Sequence, residues 1–137
     1  MNDGAFPPKL ELSCGPVTAI DLALFAAASG DHNPLHLDAD VARTAGFDRP
    51  VVHGMLIMAC VARLLTQQFG AGRLSALQTR FIGVAKLGDT LKLSASLVSV
   101  KNGIGHFELS ARAATGTDLV SGTARVAGSA TVGEALA

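Results

Sequence analysis

Asp31 and His36 sit in the run Ser29-Gly30-Asp31-His32-Asn33-Pro34-Leu35-His36, a carboxylate and an imidazole on either side of a proline-stiffened turn. Two such groups can converge on one point. Near neutral pH they can share acid–base work, one taking a proton from water and one delivering a proton to carbon. Such help is worth roughly 10²–10⁴-fold in rate. Asn33 can hold the turn through its side-chain amide, and Pro34 narrows the conformations available. The same spacing also describes an ordinary turn with a surface histidine, and both readings stand at this point. His32 reads as solvated, and His106 falls on the outward face of a strand with no role assigned.

A second feature lies at Arg49-Pro50-Val51-Val52-His53-Gly54-Met55, which opens an apolar helix. Main-chain N–H groups at a helix start are unpaired and sit at the positive end of its dipole. Gly54 has no side chain, so a carbonyl could approach its amide closely. An oxygen that gains negative charge there would find a donor typically worth ~3 kcal/mol. The alternative is that Gly54 only permits tight packing. His53 can orient the turn, line the site or cap the helix.

These groups need elements to hold them. The 137 residues, 49% hydrophobic and 16% charged, predict one packed domain over 1–137 with its core at about 9–127. With six Phe and no Trp or Tyr, the interior is aliphatic. Formal net charge is zero, and no two Lys or Arg residues are adjacent, which speaks against nucleic acid binding. Cys14 and Cys60 lack metal-like spacing and read as reduced thiols, Cys60 acting as a small hydrophobe. The longest apolar stretch, Met55 to Ala62, is too short to span a bilayer. The first residues lack the segments of a secretory signal, so the expectation is a cytoplasmic protein.

Lys9 to Ser13 alternates as a short strand. Thr18 with Asp21 forms a capping box ahead of a helix over 19–29, where Ile20, Leu24 and Ala27 recur at helical spacing and Gly30 ends the run. Asp38 caps a short helix through Arg43. From Gly54 to Gln68, apolar residues cover every side of a helix, which predicts that it is surrounded. Strands follow: 73–84 with a bend at Gly83, then Thr90 to Leu97, an Asn102-Gly103 hairpin turn, 106–113, and Val120 to Val126. Residues 1–8 and the tail from Gly128 read as frayed ends. An antiparallel sheet with one polar face can cover an apolar helix only by curling around it, so the expected fold class is α+β, a hot-dog arrangement.

The two stretches together resemble the MaoC-like family, which includes (R)-specific enoyl-CoA hydratases. Its hydratase motif is met by Phe25, Ser29, Gly30, Asp31, Asn33, Pro34, Leu35, His36 and Ala42. The likeness continues through Ala45-Gly46-Phe47, Arg49-Pro50 and His53-Gly54-Met55, and more weakly through Arg80-Phe81 to Leu91. The resemblance implies reversible hydration of trans-2-enoyl thioesters to (3R)-3-hydroxyacyl thioesters. Asp31 and His36 would activate water, with the Gly54 N–H as oxyanion donor. It also implies a homodimer, no metal, and no cofactor apart from coenzyme A as part of the substrate. Asn33, His53, Arg80 and Lys86 are the expected substrate contacts, with Arg63 a further candidate for the phosphates of a coenzyme A or acyl-carrier-protein thioester. Val84 stands where the family often has proline, in the loop before Lys86, with consequences for substrate choice.

Two other functions are compatible with the fold. A thioesterase of this architecture usually carries a carboxylate on the buried helix, and Met55 to Ala62 contains none. A non-catalytic thioester-binding subunit would not need both Asp31 and His36.

Overall fold

The computed structural model describes residues 6–129; residues 1–5 and 130–137, which include most of the expected frayed ends, lie outside the described residues. Alternation and turn chemistry set the strands β1 (Lys9–Cys14), β2 (Leu74–Phe81), β3 (Leu91–Lys101), β4 (Ile104–Ala113) and β5 (Asp118–Ala127). The helices are α1 (Ala19–Ser29), α2 (Ala39–Thr44) and α3 (Gly54–Phe69). Pro34–His36 and Ala71–Arg73 are short 3-10 turns. Among these residues no helix is long and apolar enough to cross a membrane.

The strands form one antiparallel sheet in the order β1-β3-β4-β5-β2. Leu91, Leu93 and Ala95 of β3 and Phe107, Leu109, Ala111 and Ala113 of β4 are buried. Lys92, Ser96, Glu108 and Arg112, between them, are exposed, as the alternation requires. Irregular register at Leu97/Ser99, Leu74/Ala76 and Ala111/Arg112 lets the sheet bend. Asn102 (φ 54°) and Gly103 (φ 75°) both take positive φ, the backbone a tight hairpin needs. At Gly83 a side chain would collide with the Asp118 carbonyl oxygen, 2.0 Å from an ideal Cβ, so the chain turns away from β2 there. The long helix α3 packs against the sheet through Ile57, Val61, Leu64, Leu65 and Phe69. This is the expected hot-dog fold.

Three expectations need correction. The helix α3 is not surrounded within one chain, because Met55 is 57% exposed and Ala59 is also exposed. Apolar residues all round a helix show that every face prefers cover, not that the same chain supplies it. In α1 the buried residues are Leu22 and Ala26, whereas Ile20 and Leu24 are exposed. An apolar helix offers more than one apolar stripe, so spacing alone cannot choose the inward one. Finally, Phe6 is not frayed: it is buried against the rings of Phe69 and Phe107, beneath the Arg73 guanidinium.

Candidate active site

The site begins where α1 ends. Thr18 and Asp21 form the expected reciprocal cap at its start. At its end Gly30 takes φ 79°, which turns the chain out of the helix. Three side chains then tie the main chain in succession. Ser29 Oγ donates to the Phe25 carbonyl (2.7 Å) and accepts from Asp31 N–H (3.2 Å). Asp31 Oδ1 accepts from Asn33 N–H (3.3 Å), and Asn33 Oδ1 accepts from Leu35 N–H (3.0 Å). Local side-chain bonds of this kind make the turn with no regular ladder.

The turn brings Asp31 Oδ2 to 3.6 Å from His36 Nε2, a separation too long for a direct hydrogen bond. One water at ~2.8 Å can touch both atoms across such a gap. The carboxylate is half exposed, at 51%, while the imidazole is 12% exposed, so the pair faces outward from its carboxylate side.

His36 Nδ1 lies 2.7 Å from the carbonyl oxygen of Val51. A carbonyl only accepts, so Nδ1 carries the hydrogen and Nε2 is left to exchange a proton. Val51 is itself fixed, since its N–H donates to the Leu35 carbonyl and it forms an isolated bridge with Lys86. Arg49 braces the Lys86 loop, donating to the Leu87 carbonyl (2.8 Å) and lying 3.7 Å from the buried carboxylate of Asp89. Sequence reasoning missed the Val51 carbonyl and the Arg49–Asp89 pair; a main-chain acceptor leaves no residue-type signal.

His53 has the N-cap position of α3, but its side chain makes no capping bond. It is 1% exposed and stacks on His36 with ring centroids 3.8 Å apart at 21°. Its Nε2 lies 3.2 Å from the Asp31 carbonyl oxygen, Phe25 meets it edge-on at 4.9 Å, and its Nδ1 has no partner among the described residues. Burial pushes its pKa below the ordinary value, against the opposing effect of the bond to Asp31. His53, an expected substrate contact, is thus buried beneath His36 rather than exposed at the surface.

Gly54 follows directly, and its N–H, one of the amides that open α3, has no main-chain partner among the described residues. A Cβ at this position would stand 3.3 Å from the Phe81 ring, so close packing is one reason for glycine here. Asp31, His36 and His53 each offer a ligand atom within 4.8 Å of the others. The stacked rings aim their lone pairs along nearly parallel planes, whereas a metal needs them to converge. The geometry suits proton transfer better than coordination.

Of the other expected contacts, Asn33 joins this cluster through its main chain, its N–H donating to Asp31 Oδ1 and its carbonyl accepting from His36 N–H, while no described hydrogen bond or ion pair joins Arg63, Arg80 or Lys86 to it. Asn33 spends its side-chain oxygen on the turn. Lys86 Nζ is 2.7 Å from Asp48 Oδ1, a bond that holds the Asp48 carboxyl below its ordinary pKa. Arg80 is exposed beside Phe81 and has no carboxylate partner among the described residues. Arg63 lines a cleft of about 510 Å³ between α1, β1 and α3, with Phe25, Asp21 and both thiols. There burial pushes the Cys60 thiol up to about 12, in keeping with an inert, reduced side chain.

The family model described as "MaoC like domain" matches residues 8–116. The chain belongs to the MaoC-like domain family. It is similar to the (R)-specific enoyl-CoA hydratase of Aeromonas caviae, 54% identical over 50 residues, covering 36% of this chain and 37% of that protein. It is also similar to the peroxisomal multifunctional enzyme type 2 of Mus musculus, 38% identical over 78 residues, covering 55% of this chain and 11% of that protein. The matches to both curated relatives thus span well under two thirds of their length. Among solved structures, the A. caviae (R)-hydratase involved in PHA biosynthesis superposes with a TM-score of 0.81 at 33% identity, covering 88% of this MaoC-like chain and 94% of that one.

Proposed function

We propose that this MaoC-like chain catalyses the reversible addition of water to a trans-2-enoyl thioester, giving the (3R)-3-hydroxyacyl thioester. The observation that carries this reading is the 3.6 Å approach of Asp31 Oδ2 to His36 Nε2, beside the start of α3. Water held between the two loses a proton to the pair as its oxygen bonds to C3. The π electrons of the double bond move toward the thioester oxygen, where the Gly54 N–H stabilises the enolate-like charge. A proton returned to C2 completes the addition, so one C–O and one C–H bond replace one π bond and one O–H bond. Water and the thioester are the only reactants, and coenzyme A enters only as part of the substrate. Arg80, next to the Phe81 ring that covers Gly54, and Lys86, on the strand-like bridge to Val51, are the cations given to the carrier's phosphates.

A second copy of the chain completes the molecule in this reading. The exposed apolar residues Met55, Phe81 and Ile82 lie near the start of α3, and β2 is a sheet edge with one side unpaired. A homodimer would cover both.

Crotonyl-CoA tests the activity. The absorbance of the conjugated thioester should fall in the presence of the protein, with (3R)-hydroxybutyryl-CoA as product. Release of free thiol without hydration would overturn the reading in favour of thioester hydrolysis.

A further inference from the structure

The only buried polar side chains are His53 and Asp89 among the described residues, and Asp89 is accounted for by Lys86 N–H and Arg49. His53 is not accounted for by capping, by solvent or by substrate. We propose that His53 is a positioning residue that pins the main chain of Asp31 and forms a neutral aromatic platform under His36. This rests on the hydratase reading for its consequence, though not for its geometry.

The partners of each ring decide which imidazole carries charge. The contact of His53 Nε2 is a carbonyl, so that nitrogen must hold a hydrogen to bond it. Its Nδ1 is buried with no hydrogen-bond partner among the described residues, so a second proton there would create an unpaired buried charge. His36 is the opposite case: Nδ1–H is held by Val51, and Nε2 faces the Asp31 carboxylate. With centroids 3.8 Å apart, the two rings cannot both be cationic without strong repulsion, and the charge falls to His36. When His36 takes a proton, the neutral face beneath it supports the cation as an aromatic ring does. Among the described residues, His36 and Asp31 are the titratable groups against His53; α1 contributes the apolar Phe25.

Two variants separate the two tasks. His53→Phe keeps an aromatic platform and loses the bond to Asp31; His53→Gln keeps a donor and loses the platform. Imidazole NMR of the free protein follows the titration of His36. The midpoint should stay near wild type in His53→Phe and fall by about half a pH unit in His53→Gln. With crotonyl-CoA, each variant should lose roughly 10-fold in kcat with KM within about 2-fold, because the substrate never touches this side chain. Unchanged His36 titration and unchanged kcat in both variants would overturn the proposal, as would kcat and KM failing together.

Wild-type protein gives a further check that needs no variant: ¹⁵N shifts should show His53 as the neutral Nε2–H tautomer near neutral pH. A charged His53 would overturn the proposal even if both variants fail to fold. If wild type hydrates nothing yet His53→Gln still lowers the His36 midpoint, positioning is supported and the hydratase reading is lost.

Discussion

Nδ1 of His36 is bonded to the main-chain carbonyl of Val51 at 2.7 Å, so the ring presents Nε2, and only Nε2, to Asp31. The bond reaches from the turn after α1 to the segment before α3, and it settles the tautomer without another side chain.

Asp31→Asn and His36→Gln should each lower the hydration rate of crotonyl-CoA by at least ~100-fold. Neither residue is part of the apolar core, so thermal unfolding should stay close to wild type. Steady-state rates and melting curves check the two statements separately.

Gly54 has two explanations, amide donor and packing against Phe81, and two substitutions divide them. Gly54→Ala keeps the N–H and crowds the ring. Gly54→Pro removes the N–H at a position where a helix accepts proline, and His53 already has the φ of −55° and ψ of 131° that precede proline comfortably. If the amide stabilises the enolate-like oxygen, the proline variant should lose about 10²–10³-fold in kcat and the alanine variant far less. Equal losses would leave packing as the whole explanation.

Lys86 is tied to Asp48, so any phosphate it binds must compete with that carboxylate. Asp48→Asn should release the ammonium and lower the KM for an acyl-CoA, and Lys86→Gln should raise it, each by a few-fold. Both effects should shrink as salt is added. KM measured at low and high ionic strength is the check.

His53 also predicts an acid-side stability loss. Its folded pKa lies below the ordinary histidine value, so the unfolded chain binds more protons in the window from about 6.5 downward to the folded value. Stability from this group is fully present above the upper end and falls as pH drops through the window. The melting temperature of wild type should decline there, and His53→Phe should flatten that part of the curve.

The proposed homodimer depends on apolar residues that one chain leaves open. Met55→Lys combined with Ala59→Lys should give a monomer at micromolar concentration by analytical ultracentrifugation. Wild type should sediment as a dimer.

The legible parts of the fold were those decided within a few residues. Thr18 and Asp21, Asp38, Asn102-Gly103 and the alternation in β3 and β4 act locally, and so does the turn from Ser29 to His36. What was hidden depends on contacts distant in sequence. The stack of His53 on His36 joins residues on different elements. Nothing in the apolar residues of α1 says that Leu22, and not Leu24, turns inward. The exposed stripe of α3 is illegible for the same reason, since hydrophobicity records a need for cover and not its source.

Phe6 has a practical bearing on anyone who trims this chain. Sequence patterning invites a start at the first strand, yet Gly105 lacks a side chain where an ideal Cβ would stand 2.7 Å from the Phe6 ring. The sheet has a notch, and the ring fills it. A shortened version beginning at Lys9 would open a void beside Phe69 and Phe107 of the kind that typically costs about 3–5 kcal/mol. Tags and fusion joints belong upstream of that plug.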